Sequence, residues 1–125
     1  MTVTAVAIQT APTRGALLTY TELLSVADRG DLESARRLCT QRYRQVQPLE
    51  LAPEGGVIGL PRSIDKNFRA WRADGAVLLC PTGRTGPVYR FLQEDGRWRF
   101  DGPIGLLGPS GELREDFESG EASTR

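Results

Sequence analysis

The stretch FRAWRADGAVLLCPTGRTGPVYRFLQEDGRWRFDG, residues 68–102, decides the fold. It holds two Asp-Gly pairs, Asp74-Gly75 and Asp95-Gly96, each between strand-forming runs. A type I′ turn needs positive φ at both central residues, and Asp-Gly supplies it at little steric cost. Four strands follow, over residues 68–73, 76–81, 87–93 and 97–102, and they form an antiparallel meander.

Pairing tests the second hairpin. A two-residue turn sets Glu94 opposite Arg97, Leu92 opposite Arg99 and Arg90 opposite Asp101. On the other face Gln93 meets Trp98 and Phe91 meets Phe100. Opposite charges fall together and rings fall together, each pair contributing roughly 0.2–1 kcal/mol. A slip of one residue would lose all of these matches. In the first hairpin Ala73 meets Ala76, Trp71 meets Leu78 and Arg69 meets Cys80; on the other face Arg72 meets Val77, Ala70 meets Leu79 and Phe68 meets Pro81.

The join between hairpins leaves two alternatives. A five-residue loop puts Val77 and Leu79 on the face of Tyr89 and Phe91; a four-residue loop puts Trp71, Leu78 and Cys80 there. In both, the face of Tyr89, Phe91, Trp98 and Phe100 is the one expected to meet the helices. The opposite face mixes Val88 and Leu92 with Arg90, Arg99 and Asp101, and such a surface reads as a partner face.

Upstream, residues 14–29 suit a helix, with Leu17, Tyr20, Leu24 and Ala27 at spacings of three and four and Leu18, Leu23 and Val26 broadening the stripe. Gly30 can end it in the left-handed conformation, and Asp31 caps a second helix. That second helix carries a stripe of Leu32, Ala35, Leu38, Cys39, Tyr43 and Val46. Residues 1–13 read as a loose arm, with Thr13 as the first helix cap. Residues 47–67, broken by Pro48, Pro53 and Pro61, read as an irregular connection with at most a short strand near 56–60 or a helical turn near 63–67. The acidic residues 110–125 read as a flexible tail, which leaves one α+β domain over residues 14–109.

Composition narrows the chemistry. Lysine plus arginine and aspartate plus glutamate balance at 16 each, so no global field draws the chain to nucleic acid or an anionic membrane. Lys66 is the only lysine; arginine forms planar bidentate pairs and stacks on rings as lysine does not, but the bias reads more simply as that of a GC-rich genome encoding Arg in place of Lys. Histidine is absent, which removes His-based triads, His-ligated metals and the usual neutral base. Cys39 and Cys80 are too few and too far apart for a zinc site, and Cys80, even beside Arg69, lacks a partner base. No signal peptide and no run of about 20 apolar residues is seen, so a cytoplasmic chain with reduced thiols, no membrane partner and no cofactor is the expectation. Gly83-Arg84-Thr85-Gly86 lacks the lysine of a phosphate loop. Arg62, Lys66, Arg69 and Arg72 interleave with Phe68 and Trp71, but strand alternation divides them between faces, which argues against nucleic-acid binding.

Two helices around Ala27-Asp28-Arg29-Gly30-Asp31-Leu32, an irregular middle, and a meander ending in Gly96-Arg97-Trp98-Arg99-Phe100-Asp101-Gly102 resemble the nuclear transport factor 2-like superfamily over roughly residues 15–105. That resemblance implies a cone-shaped, cystatin-like α+β fold, with N-terminal helices packed on a curved antiparallel sheet. It also implies a cavity between helices and sheet and dimerisation through the sheet. The superfamily includes isomerases, dehydratases, polyketide cyclases and transport factors, so fold alone does not choose. This chain lacks the histidine of the enzymes, and the family's third helix is not evident in residues 47–67.

Two readings remain. The first is a non-catalytic, homodimeric binding module. It joins copies through Val88, Arg90, Leu92 and Arg99, and Tyr20, Trp71, Tyr89, Phe91, Trp98 and Phe100 line a place for a small apolar ligand, although such rings more often form plain core. The alternative is a small isomerase-, dehydratase- or cyclase-like enzyme with Asp101 or Asp65 as a desolvated acid and Tyr20 or Tyr89 as hydrogen-bond donor.

Overall fold

The computed structural model describes residues 2–114. Three helices precede the main sheet: α1 (Thr2–Asp28), α2 (Leu32–Arg37) and α3 (Gln41–Val46). A small antiparallel pair follows, β1 (Glu50–Leu51) with β2 (Val57–Ile58). Then come β3 (Arg69–Ala73), β4 (Ala76–Cys80), β5 (Gly86–Glu94), β6 (Arg97–Leu107) and β7 (Leu113–Arg114). These five run antiparallel in chain order as one strongly curled half-barrel sheet, with the helices packed against it. The fold is α+β, as the turn chemistry implies.

Both Asp-Gly steps make their turns: Asp74 and Gly75 sit at φ 51° and 81°, Asp95 and Gly96 at 54° and 76°. The first hairpin has the expected register from Ala73–Ala76 to Arg69–Cys80. Phe68 lies outside the strand, its N–H turned back to the Asp65 carbonyl at 3.1 Å. Val77 faces Phe91 and Leu79 faces Tyr89, so the hairpins join in the five-residue-loop arrangement. The second hairpin keeps its register from Glu94–Arg97 to Phe91–Phe100 and then slips: Tyr89 faces Pro103, so Arg90 alone spans Asp101 and Gly102. Gly102, at φ 93°, supplies the left-handed backbone of this bulge.

The helical end departs further from expectation. Residues 2–13, read as an arm, are helical, and Thr13 lies inside α1 and does not cap it. Pro12 stands inside this helix, where its ring removes one intrahelical bond. Leu18, assigned to the buried stripe, is 63% exposed. Asp31 caps α2 as expected, accepting from the Ser34 N–H. The second helix, however, is two. At residues 38–40 the chain leaves the helix and joins β6: the Phe100 N–H donates to the Leu38 carbonyl and the Thr40 N–H to the Phe100 carbonyl, both at 2.8 Å. Thr40 then caps α3 by accepting from the Tyr43 N–H. This break covers the edge of β6, a stronger use of the backbone than one more helical turn. Val46 consequently falls outside the stripe and is exposed. Within the acidic stretch, Leu113 and Arg114 form a strand on β6; residues 115–125 of the expected tail lie outside the described residues.

The sheet separates two apolar clusters. Between helices and sheet lie Tyr20, Leu23, Val26, Ala35, Cys39, Val77, Leu79, Phe91 and Phe100. On the other face Leu78, Cys80, Val88 and Leu107 are buried by the curl of the sheet itself, with Trp71, Ala73, Ile104 and Leu113 packed around them.

Candidate functional site

The place where the resemblance implies a cavity is occupied by rings. Tyr20 packs on Tyr89 at 6.1 Å and edge-on to Phe91 at 6.2 Å. Phe100 then meets Tyr89 at 5.3 Å, Phe91 at 5.6 Å and Tyr43 at 5.1 Å. These separations are those of favourable tilted and edge-to-face pairs. The irregular connection closes the assembly. The Tyr20 hydroxyl donates to the Ser63 carbonyl at 2.7 Å and the Tyr43 hydroxyl to the Gly59 carbonyl at 2.5 Å. Burial raises the Tyr43 hydroxyl to about 12 and pushes Tyr20 and Tyr89 up as well. Each is a poor proton donor at neutral pH for the same reason that it is a good core ring.

Of the six residues read as pocket lining, Tyr20, Tyr89, Phe91 and Phe100 come together in this core. Trp98 is half-buried at its margin, under α1: a Cβ on Gly15 would stand 2.5 Å from the indole, and Thr19 donates to the Trp98 carbonyl. Trp71 is on the opposite face, with Arg69 over its ring at 5.9 Å.

Asp101 is fully buried and yet not aimed at an empty space. One carboxylate oxygen accepts from the Thr40 hydroxyl at 2.5 Å and from Arg42 Nε at 3.1 Å. The other accepts from Arg90 Nε at 2.8 Å, with Arg90 Nη2 at 2.7 Å, while Arg42 also donates to the Asp101 carbonyl at 2.6 Å. The bulge turns this carboxylate toward α3, and Tyr43 stacks on Gly102 so closely that a Cβ there would lie 2.5 Å from the ring. The knot ties α3, the helix break and β5–β6 together. A carboxylate with both oxygens held by two guanidiniums and a hydroxyl is fully engaged in tying the fold together, with no oxygen left to face a substrate. Asp65, the other candidate acid, sits on an exposed turn and accepts from the Asn67 N–H.

Sequence reasoning missed Arg42 and Thr40. Gly102 after Asp101 is the signal that a bulge would displace the pairing; nothing local points to Arg42.

The four residues read as an interface are largely engaged within the chain. Val88 is buried, Arg90 holds Asp101, and Arg99 donates to the Arg37 carbonyl at 2.5 Å and flanks Glu94; Leu92 is half-buried. Both thiols are buried, and burial pushes Cys39 up to about 12. Among the described residues no group of three or more potential metal ligands gathers, and no helix is long and apolar enough to cross a membrane.

Two clefts open elsewhere. One, about 280 Å³, lies by the end of α1 between Asp28, Glu54, Val57 and Arg62. The other, about 500 Å³, is a shallow groove between α1, α2 and the second turn, with Glu22, Arg37, Arg97 and Trp98 on its walls. Each mixes both signs of charge, and neither is lined by a buried acid or a thiol; the Thr19 hydroxyl in the second donates to the Trp98 carbonyl.

A scan against protein-family models, a search of curated proteins and a search of solved structures return no match to this chain.

Proposed function

We propose that this chain is a non-catalytic interaction module that works as a homodimer joined through its sheet. The observation that carries the reading is a contrast in completeness. The helix-facing interior is filled by five mutually packed rings and a satisfied carboxylate, while the outer edge of β3 receives no backbone hydrogen bond among the described residues. An apolar ligand inside the cone would have to displace those rings, so the reading places the binding surface outside. It also assigns no acid–base step. Asp101 is spoken for, the buried hydroxyls are weak acids, and the thiols are sealed from solvent.

Light scattering coupled to size exclusion, run from low micromolar to near-millimolar protein, tests this. The expected mass rises toward twice the chain mass; a constant monomer mass at the highest concentration contradicts it.

A further inference from the structure

Resting on that reading, we infer that the dimer contact is the β3 edge, Arg69–Ala73, paired antiparallel with β3 of a second copy about a dyad at Trp71. The tight turn after Ala73 makes Ala73–Ala76 a hydrogen-bonded pair, and the alternation of an antiparallel ladder then bonds Trp71 and Arg69 to β4. Ala70 and Arg72 therefore direct their N–H and C=O groups away from the sheet. Backbone hydrogen bonds from other described residues do not reach them.

The segment Arg-Ala-Trp-Arg-Ala is self-complementary about its centre. Pairing on Trp71 sets Ala70 opposite Arg72 and Arg69 opposite Ala73, with the two indoles adjacent. Arginines on an edge ordinarily blunt it. In this register each lies opposite a methyl group, and like charges are never opposite. The register one step along, centred on Arg72, would oppose two guanidiniums. The one centred on Ala70 would need the Phe68 N–H, already donated to the Asp65 carbonyl. The Trp71 register uses all four outward backbone groups of each Ala70–Arg72 pairing and satisfies the self-matching demanded of a two-fold contact. Arg69, already over Trp71 at 5.9 Å, stands diagonal to the second indole and can share its charge with both rings. Five residues per copy make a small contact, so the dimer is weak and concentration-dependent.

The test removes one outward N–H without touching the β3–β4 ladder. Arg72→Pro deletes that donor, and Arg72→Ala keeps it while deleting the charge; the side chain is exposed. Light scattering is expected to show dimer affinity weakened about tenfold or more by Arg72→Pro, since the dyad doubles the loss, and changed little by Arg72→Ala. Ala70→Pro, aimed at the other outward N–H, is the second variant should Arg72→Pro fail to give the wild-type circular dichroism spectrum. A folded proline variant that dimerises like wild type overturns the edge contact and leaves the homodimer standing. A wild-type monomer overturns both.

Discussion

The two hairpins turn on the same dipeptide and end up in different circumstances. At the β3–β4 turn and at the β5–β6 turn, Asp-Gly adopts nearly the same pair of positive φ angles. Beyond the turn they diverge. β5–β6 is long, bulged and buttressed by α1, α3 and the break between α2 and α3, and it carries the buried carboxylate. β3–β4 is short, and among the described residues its outer strand is hydrogen-bonded to β4 alone. Local chemistry makes the hairpin; what packs on it decides whether it becomes core or contact surface.

Several measurements break or sharpen that contrast. The largest effect is expected at Phe100, which touches three other rings and anchors residues 38–40: Phe100→Ala should lower unfolding free energy by about 3–5 kcal/mol in urea titration. Trp71→Ala on the outer hairpin, at a half-buried ring, should lower it by less than half as much. Equal losses would mean that the two hairpins are equally embedded.

Next comes the carboxylate knot. Asp101→Asn keeps the shape and removes the charge from between two guanidiniums. A loss of about 2–4 kcal/mol is expected, toward the lower end because Arg42 and Arg90 remain half in solvent. A variant as stable as wild type would free Asp101 from its structural role.

High pH gives a third test. Cys39, Tyr20, Tyr43 and Tyr89 all hold their protons more tightly in the fold than in the open chain, where ordinary values are 9.0 for the thiol and 10.0 for the hydroxyls. The unfolded chain releases these protons first, so stability falls as pH rises. It should be full below about pH 9 and decline steadily toward pH 12, read as a falling urea midpoint; a midpoint level across that range would mean that these groups are not buried.

Smallest are the turn glycines. A Cβ meets nothing at Gly75 or Gly96, so Gly→Ala at each isolates the cost of positive φ, about 1 kcal/mol. The two values should agree. A gap of more than about 1 kcal/mol would show that the turns are not chemically equivalent.

The turns, strand faces and register near each turn were legible because they depend on neighbours in sequence. The Asp31 cap was legible for the same reason. The helix break was not: the stripe through Leu38, Cys39 and Tyr43 continues with helical spacing, and only the edge of Phe100, some sixty residues away, pulls the backbone out. The bulge was half legible, since Gly102 marks it and the Arg90–Asp101 pairing obscures it. Rings on one face were readable as a cluster, but whether they enclose space or fill it depends on Tyr43 and the residue 59–63 connection, which come from elsewhere in the chain. Arg42 reaches Asp101 through the same long-range packing.

The most direct test of a filled core beside a bare edge is residue-resolved amide hydrogen exchange at two protein concentrations. The β5–β6 amides should be protected to the level of global unfolding at both. The Ala70 and Arg72 amides should exchange fast in dilute solution and slow markedly when the protein is concentrated. Protection at Ala70 and Arg72 that ignores concentration, or rapid exchange throughout β5–β6, would contradict the account.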